Sequence, residues 1–241
     1  MEEVDFKEKI IMAIAAHPDD SDFGCGATMA KAVKMGAKVI YLVATSGQRG
    51  SSDRNLTSEK LSQIRKKEQG EAAKVLGISE VHFLDYFDGE LVANIELKEK
   101  IVRFIRKYNP DIVFTTDPSY YYFKDRGLIN HSDHRAVGEA ALDAVYPLAR
   151  DFLSFTNHQK EGLEPHKVKE LFFHSLVPEE ANCFIDVAET IDLKIKALSC
   201  HKSQVPDAKA LEERIKNRAL EVGKIAGFDY AESFVRLVMA Y

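Results

Sequence analysis

Apolar and polar positions follow two alternating regimes along the first 150 residues. Nearly continuous apolar runs occupy residues 9–16 (KIIMAIAA) and 38–45 (KVIYLVAT). Such runs suit strands covered on both faces, as in a parallel sheet. Residues 80–84 and 111–116 read as a third and a fourth strand. Between these runs the periodicity is helical. One helix is expected over 24–35, stopped by Gly36. A longer one opens with Thr57 or Ser58 as its cap and closes after Leu76 at Gly77. A third runs from the cap Asn94 through Tyr108, burying Ile95, Leu97, Ile101, Val102 and Ile105 before Asn109-Pro110 ends it. A fourth is expected over 133–150.

Four strand–helix repeats imply an α/β fold: a Rossmann-like, doubly wound, mostly parallel sheet. The last third is less regular. Strands are expected over 168–174 and 183–187 and helices over 188–200 and 207–225, so the C-terminal part reads as α+β additions. Residues 152–166 are polar and read as a mobile connection. The expected organisation is a single domain over 1–241, with a core over 1–150 and an extension over 151–241 packed on it. Ligands of such sheets bind beyond the carboxyl ends of the strands. The loops after the four strands should therefore share one edge.

Composition narrows the function classes. The 241 residues carry 33 Lys and Arg against 38 Asp and Glu, a net charge of −5 that offers no basic excess for a nucleic acid. No apolar run approaches the ~20 residues of a membrane span. The first five residues, MEEVD, lack the basic and apolar regions of a signal peptide. Three widely spaced cysteines, Cys25, Cys183 and Cys200, fit neither a disulfide framework nor a Cys-x-x-Cys zinc site. A cytoplasmic protein with reduced thiols is the resulting expectation.

Two clusters combine imidazole with carboxylate at the expected sheet edge. His17-Pro18-Asp19-Asp20 follows the first strand, and His131-Ser132-Asp133-His134 closes the loop after the fourth. Catalytic zinc takes three N or O ligands and keeps one position open. His17, Asp20 and one histidine of the second cluster would supply that set. Adjacent aspartates on a turn point different ways, so Asp20 can face a metal while Asp19 faces a water that needs a proton acceptor. A Gly24-Cys25-Gly26 pair after the first strand argues weakly for a dinucleotide site. Met29 stands where the third glycine would be, and the second strand ends without a ribose-binding acid.

These motifs resemble the LmbE-like deacetylase family. Ala16 to Asp20 matches its opening Ala-His-Pro-Asp-Asp, and Thr45, Gly47 and Gly50 match a following Thr-x-Gly-Glu-x-Gly in which Gln48 replaces Glu. Asp88-Gly89-Glu90-Leu91 looks like its Asp-Gly-x-Leu segment. His131, Asp133 and His134 match His-x-Asp-His, and residues 196–204 resemble its C-terminal Lys…His-x-Ser-Gln. Ser21 and Ser132 depart from the usual Glu and Pro. The resemblance implies a zinc-dependent hydrolase that removes an N-acetyl group from an amino sugar. It implies His17, Asp20 and His134 as the ligands of one Zn2+ and Asp19 as general base. It also implies a protonated His131 as partner of the oxyanion, oriented by Asp133. By analogy the chain is a homo-oligomer, for which a hexamer is one form.

Substrate contacts are expected from Arg49 and Arg54 in the loop after the second strand and from His201. The aromatic run 120–123 is available for stacking on a sugar or for a local core. The rival readings are a metal-dependent hydrolase of another amide or an ester, and a non-catalytic metal-binding oligomer.

Overall fold

The computed structural model describes residues 4–240; the acidic residues 1–3 lie outside them. Four parallel strands open the chain: β1 (Ile10–Ala15), β2 (Lys38–Thr45), β3 (Glu80–Tyr86) and β4 (Ile112–Thr116). The helices between them are α1 (Asp20–Lys34), α2 (Ser58–Leu76) and α3 (Ile95–Tyr108), and α4 (Ser132–Asp143) follows β4. The C-terminal part adds β7 (Glu170–His174), β8 (Cys183–Asp186), α5 (Ile191–Leu198), α6 (Ala208–Ala226) and β9 (Ala231–Val238). A small hairpin, β5 (Tyr122–Phe123) with β6 (Leu128–Ile129), interrupts the loop between β4 and α4.

The seven-stranded sheet runs in the order β3-β2-β1-β4-β7-β9-β8. β1 pairs in parallel with both β2 and β4, and β7 continues the parallel set beside β4. β9 then returns antiparallel between β7 and β8. The apolar runs are explained by two-sided burial. Ile11, Ala13, Val39 and Tyr41 enter one core, shared with α1, α2 and α5. Met12, Ile14, Leu42 and Ala44 enter the other, against α3 and α4. A period-two backbone with a core on each face needs apolar residues at every position. Phe172, Ile185 and Phe234 of the C-terminal part join the first core beside Ile11 and Phe114.

Several expectations are corrected. α1 starts at Asp20, not at residue 24, and is broken at Cys25 (φ −145°, ψ 15°). The amides freed by the break are taken up by Glu232 of β9, which accepts from Thr28 N (2.8 Å) and Ala27 N (3.3 Å). α4 ends at Asp143 and is followed by a wider turn over Ala144–Leu148 that contains Pro147. β9 and the hairpin are strands that the sequence reading lacks. Residues 152–166, expected to be mobile, are tied down from beneath. The buried Arg106 guanidinium donates to the carbonyls of Leu148, Ala149, Asp151 and Ser154, all at 2.9–3.1 Å.

β1 and β4 are neighbours at the point where the winding reverses, and α1 and α4 leave their carboxyl ends. This brings the two histidine clusters together across 117 residues of sequence.

Candidate metal centre

Three side chains converge at the carboxyl ends of β1 and β4. His17 Nδ1 lies 3.3 Å from His134 Nε2 and 3.4 Å from Asp20 Oδ2, and His134 Nε2 lies 3.2 Å from Asp20 Oδ1. Ligands ~2.0–2.1 Å from a tetrahedral ion stand about 3.3–3.4 Å apart. The His17–His134 separation of 3.3 Å matches that spacing, and the two Asp20 oxygens lie within 3.2–3.4 Å of the two imidazoles. Two imidazole nitrogens facing each other beside a carboxylate also make poor sense as a hydrogen-bond pair and good sense as a donor set. Asp20 is further fixed by the His17 amide, which donates to Oδ2 at 2.8 Å. Burial opposes the charge on Asp20, but His134 and His17 hold its carboxyl well below the usual range.

The far side of the His17 ring is held by two more carboxylates. Its Nε2 lies 3.1 Å from Asp88 Oδ1 and 3.2 Å from Asp133 Oδ2. Donating there places the proton on Nε2 and leaves the Nδ1 lone pair toward His134 and Asp20. In the protein without metal, burial works against charge on His17. Asp133, Asp20 and Asp88 outweigh it and push the imidazole up to about 12. Asp133 is itself fully buried and accepts from Gly89 N (2.7 Å) and Leu91 N (3.2 Å). Gly89 sits at φ +80°, a left-handed position that suits glycine.

This corrects the expected role of Asp133. Its carboxylate serves His17, not His131. His131 is oriented by the backbone: its Nδ1 accepts from Asp133 N at 3.2 Å. An accepting Nδ1 puts the ring proton on Nε2. Burial, and after it the neighbouring His17, lower the His131 pKa. It packs edge-on against His17, with centroids 4.8 Å apart.

Asp19 occupies the turn between β1 and α1 at φ 87°, ψ −26°. Such a left-handed non-glycine residue costs ~1–3 kcal/mol and needs outside support. α2 supplies it. Gln69 Oε1 accepts from Asp19 N at 2.8 Å, and Arg65 donates to Asp19 Oδ2 (3.2 Å) and Pro18 O (2.8 Å). Burial and Asp20 raise the Asp19 carboxyl to about 7, against the pull of Arg65. Gln69 passes the chain of bonds to Asp22 (2.9 Å), and His201 Nε2 meets Asp22 at 2.8 Å. His201 is thus fully buried behind the turn, not placed to touch substrate as expected. Arg65, Gln69 and Asp88 had not been singled out as site residues. Only Asp88 carried a signal, within the Asp-Gly-x-Leu segment.

Arg49 lies at the rim. Its amide donates to Asp88 Oδ2 at 3.2 Å, and its guanidinium pairs with Glu90. Arg54 is exposed and joins none of the site's hydrogen bonds among the described residues. The aromatic run divides. Tyr120 and Phe123 stack at 5.0 Å and line a cavity of about 170 Å³ that also touches Asp20, His134 and His174, while Tyr121 and Tyr122 face solvent. Cys25 is buried with its thiol pushed well up, which suits packing.

Comparison with known proteins shows the family of the chain. The family model described as PIG-L, GlcNAc-PI de-N-acetylase, matches residues 12–145. A diacetylchitobiose deacetylase of Thermococcus kodakarensis is 32% identical over 230 residues, covering 93% of this chain and 81% of the relative. A probable N-acetyl-α-D-glucosaminyl L-malate deacetylase 2 of Bacillus cereus is 27% identical over 202 residues, covering 82% and 84%. The crystal structure of N,N'-diacetylchitobiose deacetylase from Pyrococcus horikoshii, with its inhibitor MPG, superposes with a TM-score of 0.87 at 31% identity, covering 95% of this chain and 84% of that one.

Proposed function

We propose that this chain, which belongs to the PIG-L family of de-N-acetylases, uses a zinc ion held by His17, Asp20 and His134 to hydrolyse the N-acetyl amide of an N-acetylglucosamine-type sugar. The observation that carries the reading is the convergence of His17 Nδ1, His134 Nε2 and the Asp20 carboxylate at 3.2–3.4 Å, with a separate carboxylate, Asp19, beside it. Relatives named for diacetylchitobiose and for glucosaminyl malate share an N-acetylglucosamine unit, and we take that unit as the substrate element.

His17, Asp20 and His134 would hold the ion, which would supply a Lewis acid able to lower the pKa of water toward ~7 and to polarise a carbonyl. Asp19, steadied by Arg65 and Gln69, accepts the proton of the attacking water and returns it to the departing amine. His131 presents Nε2–H to the oxygen that becomes negative in the tetrahedral state. Asp88 and Asp133 fix the ring of His17. Arg49, whose amide donates to Asp88 and whose guanidinium pairs with Glu90, is the residue this reading assigns to the sugar hydroxyls.

The test is release of acetate and free amine from N-acetylglucosamine and diacetylchitobiose, with and without a chelator. We expect hydrolysis that stops on chelation and returns with added zinc. Hydrolysis indifferent to chelation would overturn the metal reading. Metal binding with no turnover of any N-acetylated sugar would favour a binding protein.

A further inference from the structure

The support of the Asp19 turn ends in the C-terminal part of the chain. His201, in the turn that follows α5, is fully buried and meets Asp22 across 179 residues of sequence. Oδ2 of Asp22 accepts from two donors, His201 Nε2 at 2.8 Å and Gln69 Nε2 at 2.9 Å. Gln69 in turn accepts the Asp19 amide on Oε1 at 2.8 Å. The direction of these bonds is forced. A carboxylate only accepts and a backbone N–H only donates, so the side-chain amide of Gln69 fits in one orientation. Asp22 selects that orientation, and His201 fixes Asp22.

The turn that carries His201 is itself anchored to α2 beside Gln69. Ser203 donates to both oxygens of the buried Glu68, from its amide at 2.8 Å and from its hydroxyl at 2.6 Å. Gln204 Nε2 donates to Gly50 O, in the loop after β2, at 2.9 Å. His201 therefore reaches Asp22 from a fixed platform.

Packing alone does not account for this histidine. Its Nδ1 is buried without a hydrogen-bond partner. An apolar side chain would fill the space without that cost, because a buried polar group left unpaired is unfavourable. What an apolar side chain cannot do is donate to Asp22. Asp22 stands outside the His17, Asp20 and His134 set, and the bonds that run through it end on the backbone of Asp19. That residue sits at φ 87°, a conformation that its surroundings must impose.

We propose that His201 is a positioning residue for Asp19: acting through Asp22 and Gln69, it holds the backbone of the turn and so the direction of the Asp19 carboxylate. The consequence for turnover rests on the deacetylase reading, and the hold on the turn rests on the hydrogen bonds alone.

A near-isosteric pair of variants of the full chain tests it. His201→Gln keeps a donor at the reach of the imidazole, and His201→Met fills the same space without one. Hydrogen exchange at the Asp19 amide, followed by NMR, reads the turn without catalysis. We expect exchange about tenfold faster than wild type in His201→Met and within about twofold of it in His201→Gln, with the amides of β2 unchanged in both. Initial rates should show kcat down about tenfold or more in His201→Met, with KM and zinc content within about twofold of wild type, and most of kcat restored in His201→Gln. Combined with Asp19→Asn, His201→Met should cost nothing further, because it acts through the group already lost. Three results overturn the proposal and leave His201 a packing residue: equal behaviour of the Gln and Met variants, an Asp19 amide as protected in His201→Met as in wild type, or an undiminished loss in the Asp19→Asn background. Should His201→Met not fold, His201→Asn, whose amide is one methylene shorter, takes its place with the same expectations. If the wild type hydrolyses no N-acetylated sugar, the deacetylase reading falls, and the exchange measurement still decides the hold of His201 on the turn.

Discussion

Asp133 lies 3.2 Å from His17 Nε2, on the edge of the imidazole opposite the one that faces His134 and Asp20. A residue of the second cluster thereby orients a ligand of the first. Removing such a partner typically costs 10–100-fold in metal affinity. We expect Asp133→Ala to weaken zinc binding by that factor, measured by competition with a chromogenic chelator. Asp88→Ala should do the same to a smaller degree, since Asp133 remains. Zinc affinity within twofold of wild type in Asp133→Ala would show that the ring is held by other means.

Asp19 contributes no atom to the donor set. Asp19→Asn should therefore retain zinc at wild-type stoichiometry while kcat falls ~10²–10⁴-fold, the usual worth of general base catalysis. Metal analysis beside initial rates checks both halves. Wild-type turnover in this variant would remove Asp19 from the proton path.

The Nδ1 of His131 accepts from Asp133 N, which leaves Nε2–H to donate. His131→Ala should lower kcat ~10²–10³-fold with little change in KM, as for loss of one oxyanion donor. A rise in KM alone would mark it as a ground-state contact.

His174 is half-buried with its Nε2 shielded from solvent, and desolvation lowers its pKa from 6.5 to about 4. The unfolded chain takes up a proton near pH 6.5 while the folded chain resists until about 4. Stability is therefore whole above pH 6.5 and is lost as pH falls toward 4, by up to ~3 kcal/mol from this group. Urea unfolding of the metal-free protein at pH 7.5, 6 and 4.5 should show the decline. In His174→Phe the slope between pH 6.5 and 4 should be shallower. Equal slopes would mean that His174 is not the group responsible.

The parallel half of the fold was legible because its strands are buried on both faces. Residues 10–16 and 39–44 leave no charged position to mistake for solvent, and the four loops could be assigned to one edge. β9 escaped because it is a return strand whose pairing partners, β7 and β8, lie far away in sequence. The hairpin escaped because each of its strands has two residues. At the site, His17, Asp20 and His134 carry their chemistry in their own motifs. Arg65 and Gln69 look like two polar positions on an ordinary charged helix. Only the packing of α2 under the Asp19 turn shows that both are buried, at 4% and 1% exposure, for a purpose. His201 misled for the converse reason: a motif match says that a residue matters, not which way it faces.

The left-handed backbone of Asp19 bears on how this protein could be engineered. Glycine would adopt φ 87° without strain and free the Arg65 guanidinium of one carboxylate partner. Asp19→Gly would thus relieve the backbone and at the same time leave the buried Arg65 without its carboxylate. Libraries for this chain should therefore hold position 19 fixed, because one carboxylate serves both the Arg65 pair and the proposed proton transfer.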